Sequence, residues 1–444
     1  LDHNIEIGNS LIDDPKFSDK AFNWQKQFSE VFKQGGFDVI VGNPPYIFAR
    51  GGSFSDEEKK YYYDNFPLLQ QYQLNTYLLF IELGLKLLKK DGHFGFIVPN
   101  NWLTIDTFTS LRRFLLNRTK NLQIVNIHDK VFEDASVDSC LLIFQNGKPD
   151  KITLGEFSEG ILEILGKFLP TSFQDNNLII NISAMKSEEK MTILNKIKNF
   201  SISLKECAEV STGLKAYQVG KGSPIQTEKI KNSRLFHSNK KENKTFRKYL
   251  DGRDVMRYKL KWSGEYLSYG DWLAEPRRSV PFIGPRILVR QIPSPLPYSI
   301  NAVFVGEDYL NDINSMVIFD FKYIPSFLLA ILNSRLVSFW FANTFDKFQR
   351  KIFPQFKVKE LAQFPIFRID LSIKKEKAKH DELANLADKM LKLNKSLQKL
   401  DPILDDKEYN QIKKEIEETD KIIDQKVYEL YGLTGEEIKI IEDN

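Results

Sequence analysis

The chain has 444 residues, 42% hydrophobic and 27% charged, with 34 Phe and 17 Tyr, which calls for two or three domains rather than one. Two cysteines, Cys140 and Cys207, without a Cys-x-x-Cys pair, exclude a disulfide framework and a zinc ribbon, and they fit a reducing cytoplasm. Five scattered histidines suggest no metal site, no apolar run reaches the length of a membrane span, and no phosphate-binding GxxxxGKT loop occurs. The net charge of +4 conceals an asymmetry: −3 over 1–200, +11 over 201–370 and −4 over 371–444. A positive charge concentrated in one region points to a polyanionic partner there. The opening residues, Leu1-Asp2-His3-Asn4, resemble neither a signal peptide nor a natural start, and point to a fragment or a processed product.

In chain order, Asn4–Ile7 reads as a short strand ending at Gly8-Asn9-Ser10. Phe37–Val41 (FDVIV), bounded by Gly36 and Gly42, reads as a buried parallel strand. From Thr76 to Lys90, Tyr77, Phe80, Ile81, Leu85 and Leu88 recur at helical steps. Asn75 caps that helix, and Lys89-Lys90-Asp91-Gly92 should end it. HFGFIVP then forms a strand, Phe108–Leu116 a helix, and Leu122–His128 and Cys140–Phe144 further strands. This alternation is that of an open α/β sheet, a partial Rossmann-like domain over 1–150. Residues 151–200 read as a polar connector. Residues 201–370 hold many short β-like runs, such as Arg286–Gln291 and Ala302–Val305, as in an irregular α+β domain. In the tail, Leu383, Leu386, Met390, Leu393, Leu397 and Leu400 form a heptad seam. Asp401-Pro402 breaks it, and Ile412, Ile416, Ile423, Val427 and Leu430 predict a second helix. The segment 371–444 is therefore expected to be an antiparallel helical hairpin. It would brace its neighbour or serve as a seam for self-association or a partner.

The informative string is FDVIVGNPPYI, Phe37 to Ile47. In open α/β sheets, ligands bind beyond the carboxyl ends of strands, where Asn43, Pro44, Pro45 and Tyr46 fall. Each proline fixes its own φ, lacks an N–H and restricts the residue before it, so the loop is stiff. The Asn43 amide oxygen and the Pro44 carbonyl are two acceptors for the two N–H groups of an exocyclic amine. Held off the plane of the ring, they draw the nitrogen lone pair out of conjugation and make it a nucleophile. Tyr46 adds a face on which an extruded base can stack. Tyr61-Tyr62-Tyr63 reads as loop packing.

The stretch resembles motif IV of the amino-methyltransferases, in its adenine-N(6) form. NTYLLFIELGLKLLKKDGHFGFIVPNNWL and HDKVFEDASVDSCLLIF resemble the downstream order of the adenine-specific, Taq-like family of type II restriction–modification systems. By that resemblance the activity is transfer of methyl from S-adenosylmethionine to a flipped adenine in double-stranded DNA. Phe132 is then a second stacking residue opposite Tyr46. IEIGNSLID resembles motif III, which makes Asn9 a cofactor contact where the family usually has Asp. The family's Gly-rich cofactor turn and the acidic residue after it are not found in these 444 residues. The cofactor site is thus expected to be incomplete here, with the remainder upstream. STGLK (211–215), PRILVRQI (285–292), LLAILNSRL (328–336) and VYELYGLTGEEIKIIE resemble the C-terminal specificity domain of Taq-like and type IIG enzymes.

Over 201–370, Lys and Arg are mixed with aromatics. Lys244, Arg247, Lys248, Arg253 and Arg257 form one group with Tyr249 and Tyr258. Arg277, Arg278, Arg286 and Arg290 form a second, and Lys347, Arg350 and Lys351 a third. Phosphate contacts would supply affinity, and a few side chains in a groove would supply sequence choice. Two other readings remain open: a methyltransferase for a protein glutamine or an RNA base, and a DNA-specificity module inactive by itself. Enzymes of the former kind are usually compact and lack a basic appendage.

Overall fold

Apolar runs of strand length, separated by amphipathic helices, assemble in the computed structural model into a mixed six-stranded sheet. Described are residues 5–47, 54–67, 74–129, 131, 138–173, 178–182, 188–345 and 355–443. The chain divides into two units, Leu1–Ser187 and Glu188–Asn444.

In the first unit the strands are β1 (Phe37–Gly42), β2 (Leu88–Pro99), β3 (Thr119–Ile127), β4 (Ser139–Asn146), β5 (Ile152–Ser158) and β6 (Ile161–Phe168). Their order is β1-β2-β4-β3-β5-β6. β1 runs parallel to β2 and β3 parallel to β5, whereas β4 is antiparallel to both of its neighbours. One face is apolar at Phe94, Phe96, Val98, Leu142 and Phe144, all buried. The helix Thr76–Leu87 packs against it at Phe94, and the helix Thr109–Arg118 contacts β3. Gly84 permits the approach of the first helix, because a Cβ there would collide with the Phe94 ring. Asn75 caps this helix as expected, accepting from Tyr77 N–H at 3.3 Å.

Several boundaries differ from the sequence reading. Residues 5–7 are not a strand, and among the described residues the segment pairs only through an isolated bridge from Asn9 to Ala21. The Thr76 helix stops at Leu87, before the lysines, because Leu88 already pairs with Phe37 at the foot of β1. The turn signal Lys89-Lys90-Asp91-Gly92 becomes an irregularity in that pairing, with Asp91 at φ 60° and Lys89 salt-bridged to Asp38. The 151–200 stretch is no connector. β5 and β6 extend the sheet, and Glu188–Phe200 is a helix belonging to the second unit. Tyr61 and Tyr62 lie buried on the Asp56–Asn65 helix rather than in a loop.

In the second unit an antiparallel sheet, Ala302–Val305, Arg286–Arg290, Ser315–Phe319 and Glu209–Thr212, separates two cores. Strand alternation produces this division. Ile287, Val289, Met316 and Ile318 face one core, while Leu288, Val303, Val305 and Val317 face the other. The helices Lys374–Leu397 and Asp406–Leu430 form the expected hairpin, and the Lys426–Glu382 ion pair at 3.0 Å fixes their antiparallel sense. They are not a separate module. Leu383, Ala387, Met390, Ile423 and Val427 share a core with Phe327, Leu328 and Phe341, so the 371–444 segment folds as part of the 201–370 region. No single helix among the described residues is long and apolar enough to cross a membrane. The bent pair Pro325–Leu332 and Arg335–Thr344 lies in this core.

Candidate active site at the end of β1

Among the described residues β1 is paired by β2 alone, and with its other side unpaired Val39 and Val41 are exposed, so the strand is parallel as expected but not buried. It delivers Asn43–Tyr46 to the carboxyl end of a parallel pair, as the sequence implied. Pro44 is buried, Asn43 and Pro45 are exposed, and Tyr46 is half-buried. The Tyr46 hydroxyl lies 2.9 Å from the Ile97 carbonyl oxygen and 3.0 Å from Asn43 Oδ1. A phenol has a single proton. The hydroxyl therefore donates to the Ile97 carbonyl or to Asn43 Oδ1, one at a time, and donation to Ile97 leaves the Asn43 oxygen free of that bond. Burial pushes the Tyr46 phenol up to about 12, so it remains neutral near pH 7.

Thr76 holds the loop from the far side, a role that sequence reasoning did not assign. Its hydroxyl donates to the Pro45 carbonyl and accepts from Ile47 N–H at 3.0 Å. Its own N–H donates to the Ile47 carbonyl at 3.1 Å. The stiffness supplied by the prolines is thereby completed by a clasp from the first turn of the next helix. The available signal was an N-cap beside a β-branched hydroxyl residue, which is read locally as a helix start and nothing more. Beneath the loop, Tyr77 is fully buried and donates to Asn101 Oδ1 at 3.1 Å, with its ring edge-on to Tyr46 at 6.4 Å. The turn after β2 is tied by buried Arg112, which donates to the carbonyls of Trp102 and Ile105.

A hollow of about 380 Å³ opens beside Asn43 and Pro44, lined also by Ser10, Trp24, Val39 and Phe80. Asn9 precedes one of these residues. Its Oδ1 accepts from Leu11 N–H at 3.2 Å, and its side chain hydrogen-bonds the Tyr62 hydroxyl. Asn9 thus organises a turn at the rim. The apolar walls fit the adenine ring of a nucleoside cofactor. Among the described residues nothing in the lining is charged, so it supplies no counter-charge for the amino-acid end of such a cofactor. Phe132 lies outside the described residues. Among the described residues no group of three His, Cys, Asp or Glu side chains is placed to hold a metal.

The cations expected to meet DNA are distributed differently from the sequence reading. Arg257 is taken up inside the second unit. Its guanidinium binds Asp420 through two bonds of 2.5 and 2.6 Å, donates to the Asn333 carbonyl at 2.9 Å and stacks on Tyr298 at 3.9 Å. It is a brace between the β region and the hairpin, so its assignment to DNA contact is corrected. Arg286 is fully buried and donates to the carbonyls of Gly284, Glu307 and Tyr309; burial lowers it to about 10. Arg247 pairs with Asp308 and stacks on Tyr269, Arg277 pairs with Glu275, and Arg278 pairs with Asp271. Lys248 lies over Trp262 at 4.9 Å. Arg290 is half-buried, while Lys244 is exposed and the Arg253 side chain is 81% exposed. Lys347, Arg350 and Lys351 lie outside the described residues.

The first unit thus carries Asn-Pro-Pro-Tyr at the end of β1, and the second is β-rich with a helical hairpin. Residues 1–132 match the model of the Eco57I restriction-modification methylase, and residues 247–366 match that of the TaqI-like C-terminal specificity domain. It is similar to the putative type II restriction enzyme and methyltransferase RM.MjaORFECS2P of Methanocaldococcus jannaschii. Identity is 27% over 399 residues, covering 86% of this chain and 31% of that protein. It is also similar to the type II restriction enzyme and methyltransferase RM.Eco57I of Escherichia coli, at 23% identity, covering 93% and 48%. The chain therefore spans about a third to a half of these relatives. The type II methyltransferase M.TthHB8I of Thermus thermophilus matches at 33% identity over 115 residues, 25% of this chain and 26% of that one. Among solved structures, the type IIL restriction-modification enzyme MmeI in complex with DNA shares the fold. Its TM-score is 0.54 at 13% identity, covering 95% of this chain and 58% of that one.

Proposed function

We infer that this chain forms the target-amine half of the catalytic domain, together with the specificity domain, of a DNA methyltransferase that modifies the N6 amine of adenine. The observation that carries the reading is the Asn43–Tyr46 loop, stiffened by two prolines and clasped by Thr76 at the carboxyl end of β1. S-adenosylmethionine would supply the methyl group. The Asn43 oxygen and the Pro44 carbonyl accept hydrogen bonds from the two amine N–H groups, hold the nitrogen pyramidal and stabilise the positive charge that develops on it until one proton is released to solvent. Tyr46 stacks on the extruded ring, with Phe132 opposite. The amine itself attacks, so no covalent enzyme intermediate is needed. Asn9 would bear on the cofactor through its turn. Exposed Lys244 and Arg253 suit phosphate contact, and the ring-stacked Lys248 and Arg247 form a basic aromatic surface.

The test is the adenine methylation of genomic DNA in cells expressing the complete gene, beside Asn43→Ala. Modified adenine at one recurring motif, lost in the variant, supports the reading. Its absence from a well-expressed wild-type protein refutes it.

A further inference from the structure

The hairpin helix Lys374–Leu397 contains seven lysines, no arginine and four carboxylates. Its fellow, Asp406–Leu430, contains five lysines and eight carboxylates. The tail's net charge of −4 thus averages over two helices of opposite character. On the first helix every carboxylate is already engaged. Glu376 accepts from Asp370 N–H at 2.7 Å, Asp381 binds Lys377 at 2.6 Å and His380 at 2.9 Å, Glu382 binds Lys426 at 3.0 Å, and Asp388 accepts from the Ser326 hydroxyl. Lys375, Lys379, Lys389 and Lys392 are exposed, and among the described residues none of them has an ion-pair partner.

Their placement is that of a single surface. At 3.6 residues per turn these four side chains fall within about 140° of the helix circumference, and at 1.5 Å per residue they extend over about 26 Å. The opposite arc is the buried one, with Leu383, Ala384, Ala387 and Met390. A cationic face of this length, backed by a rigid core, matches a double helix, which presents one negative charge per about 1.7 Å of axis. The residue type narrows the role. Lysine is a point charge on a long stem, without the planar fork by which arginine reads a base edge. Such a face supplies affinity and register without sequence choice.

We propose that the outward lysine face of Lys374–Leu397 is a phosphate-backbone contact for duplex DNA, separate from the basic aromatic surface of the β region. The proposal rests on the DNA reading above for the identity of the partner and adds a surface to it. It is tested by fluorescence anisotropy of the whole chain with a labelled 30-base-pair duplex across a series of KCl concentrations. The variant is Lys375→Gln/Lys379→Gln/Lys389→Gln/Lys392→Gln, and glutamine keeps the helix propensity. The control is Lys407→Gln/Lys413→Gln/Lys414→Gln/Lys421→Gln on the other helix, with the same loss of charge at exposed positions. Each phosphate contact contributes about 0.9 to the slope of log K against log salt. The expected result is a slope about 3 to 4 shallower in the first variant and within about one unit of wild type in the control. Equal changes in the two variants, or none in either, overturn the proposal while leaving the DNA reading intact. A wild-type chain that does not bind duplex at all overturns both.

Discussion

Replacing Arg257 should destabilise the fold rather than merely weaken DNA binding, and the size of the effect follows from its surroundings. The side chains of Arg257 and Asp420 are 15% and 14% exposed, joined by a two-pronged bond, and the guanidinium also satisfies the Asn333 carbonyl. Arg257→Met leaves the Asp420 carboxylate buried without its counter-charge, close to a second buried carboxylate, Asp424, which burial pushes up to about 6. Removing one partner of a buried pair costs about 3–5 kcal/mol, most of it the stranded charge. Removing both is far cheaper, so Arg257→Met/Asp420→Leu should regain most of the loss. Urea unfolding of the four proteins in the double-mutant cycle measures this, and the double variant should be more stable than either single one. A single variant as stable as wild type, with a salt slope for DNA binding shallower by about one, would refute the brace and restore Arg257 to the DNA surface.

Thr76→Val keeps the shape of the side chain and removes both hydroxyl bonds to the Asn-Pro-Pro-Tyr loop. Methyl transfer by the complete enzyme should fall about 10- to 100-fold in kcat with little change in KM, because small misplacements of a reacting group are costly. Thr76→Ser should recover most of it, and a change confined to KM would contradict the clasp. Asp312 is raised by burial to about 7 in the folded chain, above its unfolded value near 3.9. The native state therefore holds a proton that the unfolded state releases, and the stability tied to this group falls as pH rises from about 4 to about 7. Urea midpoints at pH 5 and pH 8 should show that loss in wild type and a smaller one in Asp312→Asn; parallel behaviour of the two proteins would dismiss it. Tyr46→Ala should abolish stacking on an extruded base, read as lost fluorescence enhancement from 2-aminopurine at the target position in the recognised duplex, whereas Tyr46→Trp should retain it.

Much of the catalytic half was legible because its signals are local. An apolar run between two glycines, leading into Asn-Pro-Pro-Tyr, reports strand, turn and stiffness within eleven residues, and the Asn75 cap and the heptad seams are equally short-range. What escaped the sequence is what long-range packing decides. Leu88 leaves its helix to pair with Phe37. The polar-looking 152–168 stretch becomes two strands because β3 offers an edge. The clearest case is charge. By itself the sequence established how many cations the 201–370 region holds, but a cation's availability depends on which carboxylate lies beside it. Arg257 meets Asp420 across 163 residues, whereas among the described residues Lys375, Lys379, Lys389 and Lys392 meet none. Backbone conformation is set largely by neighbours in the chain and so can be read from it. Ion pairing is set by neighbours in space, which only the tertiary structure supplies.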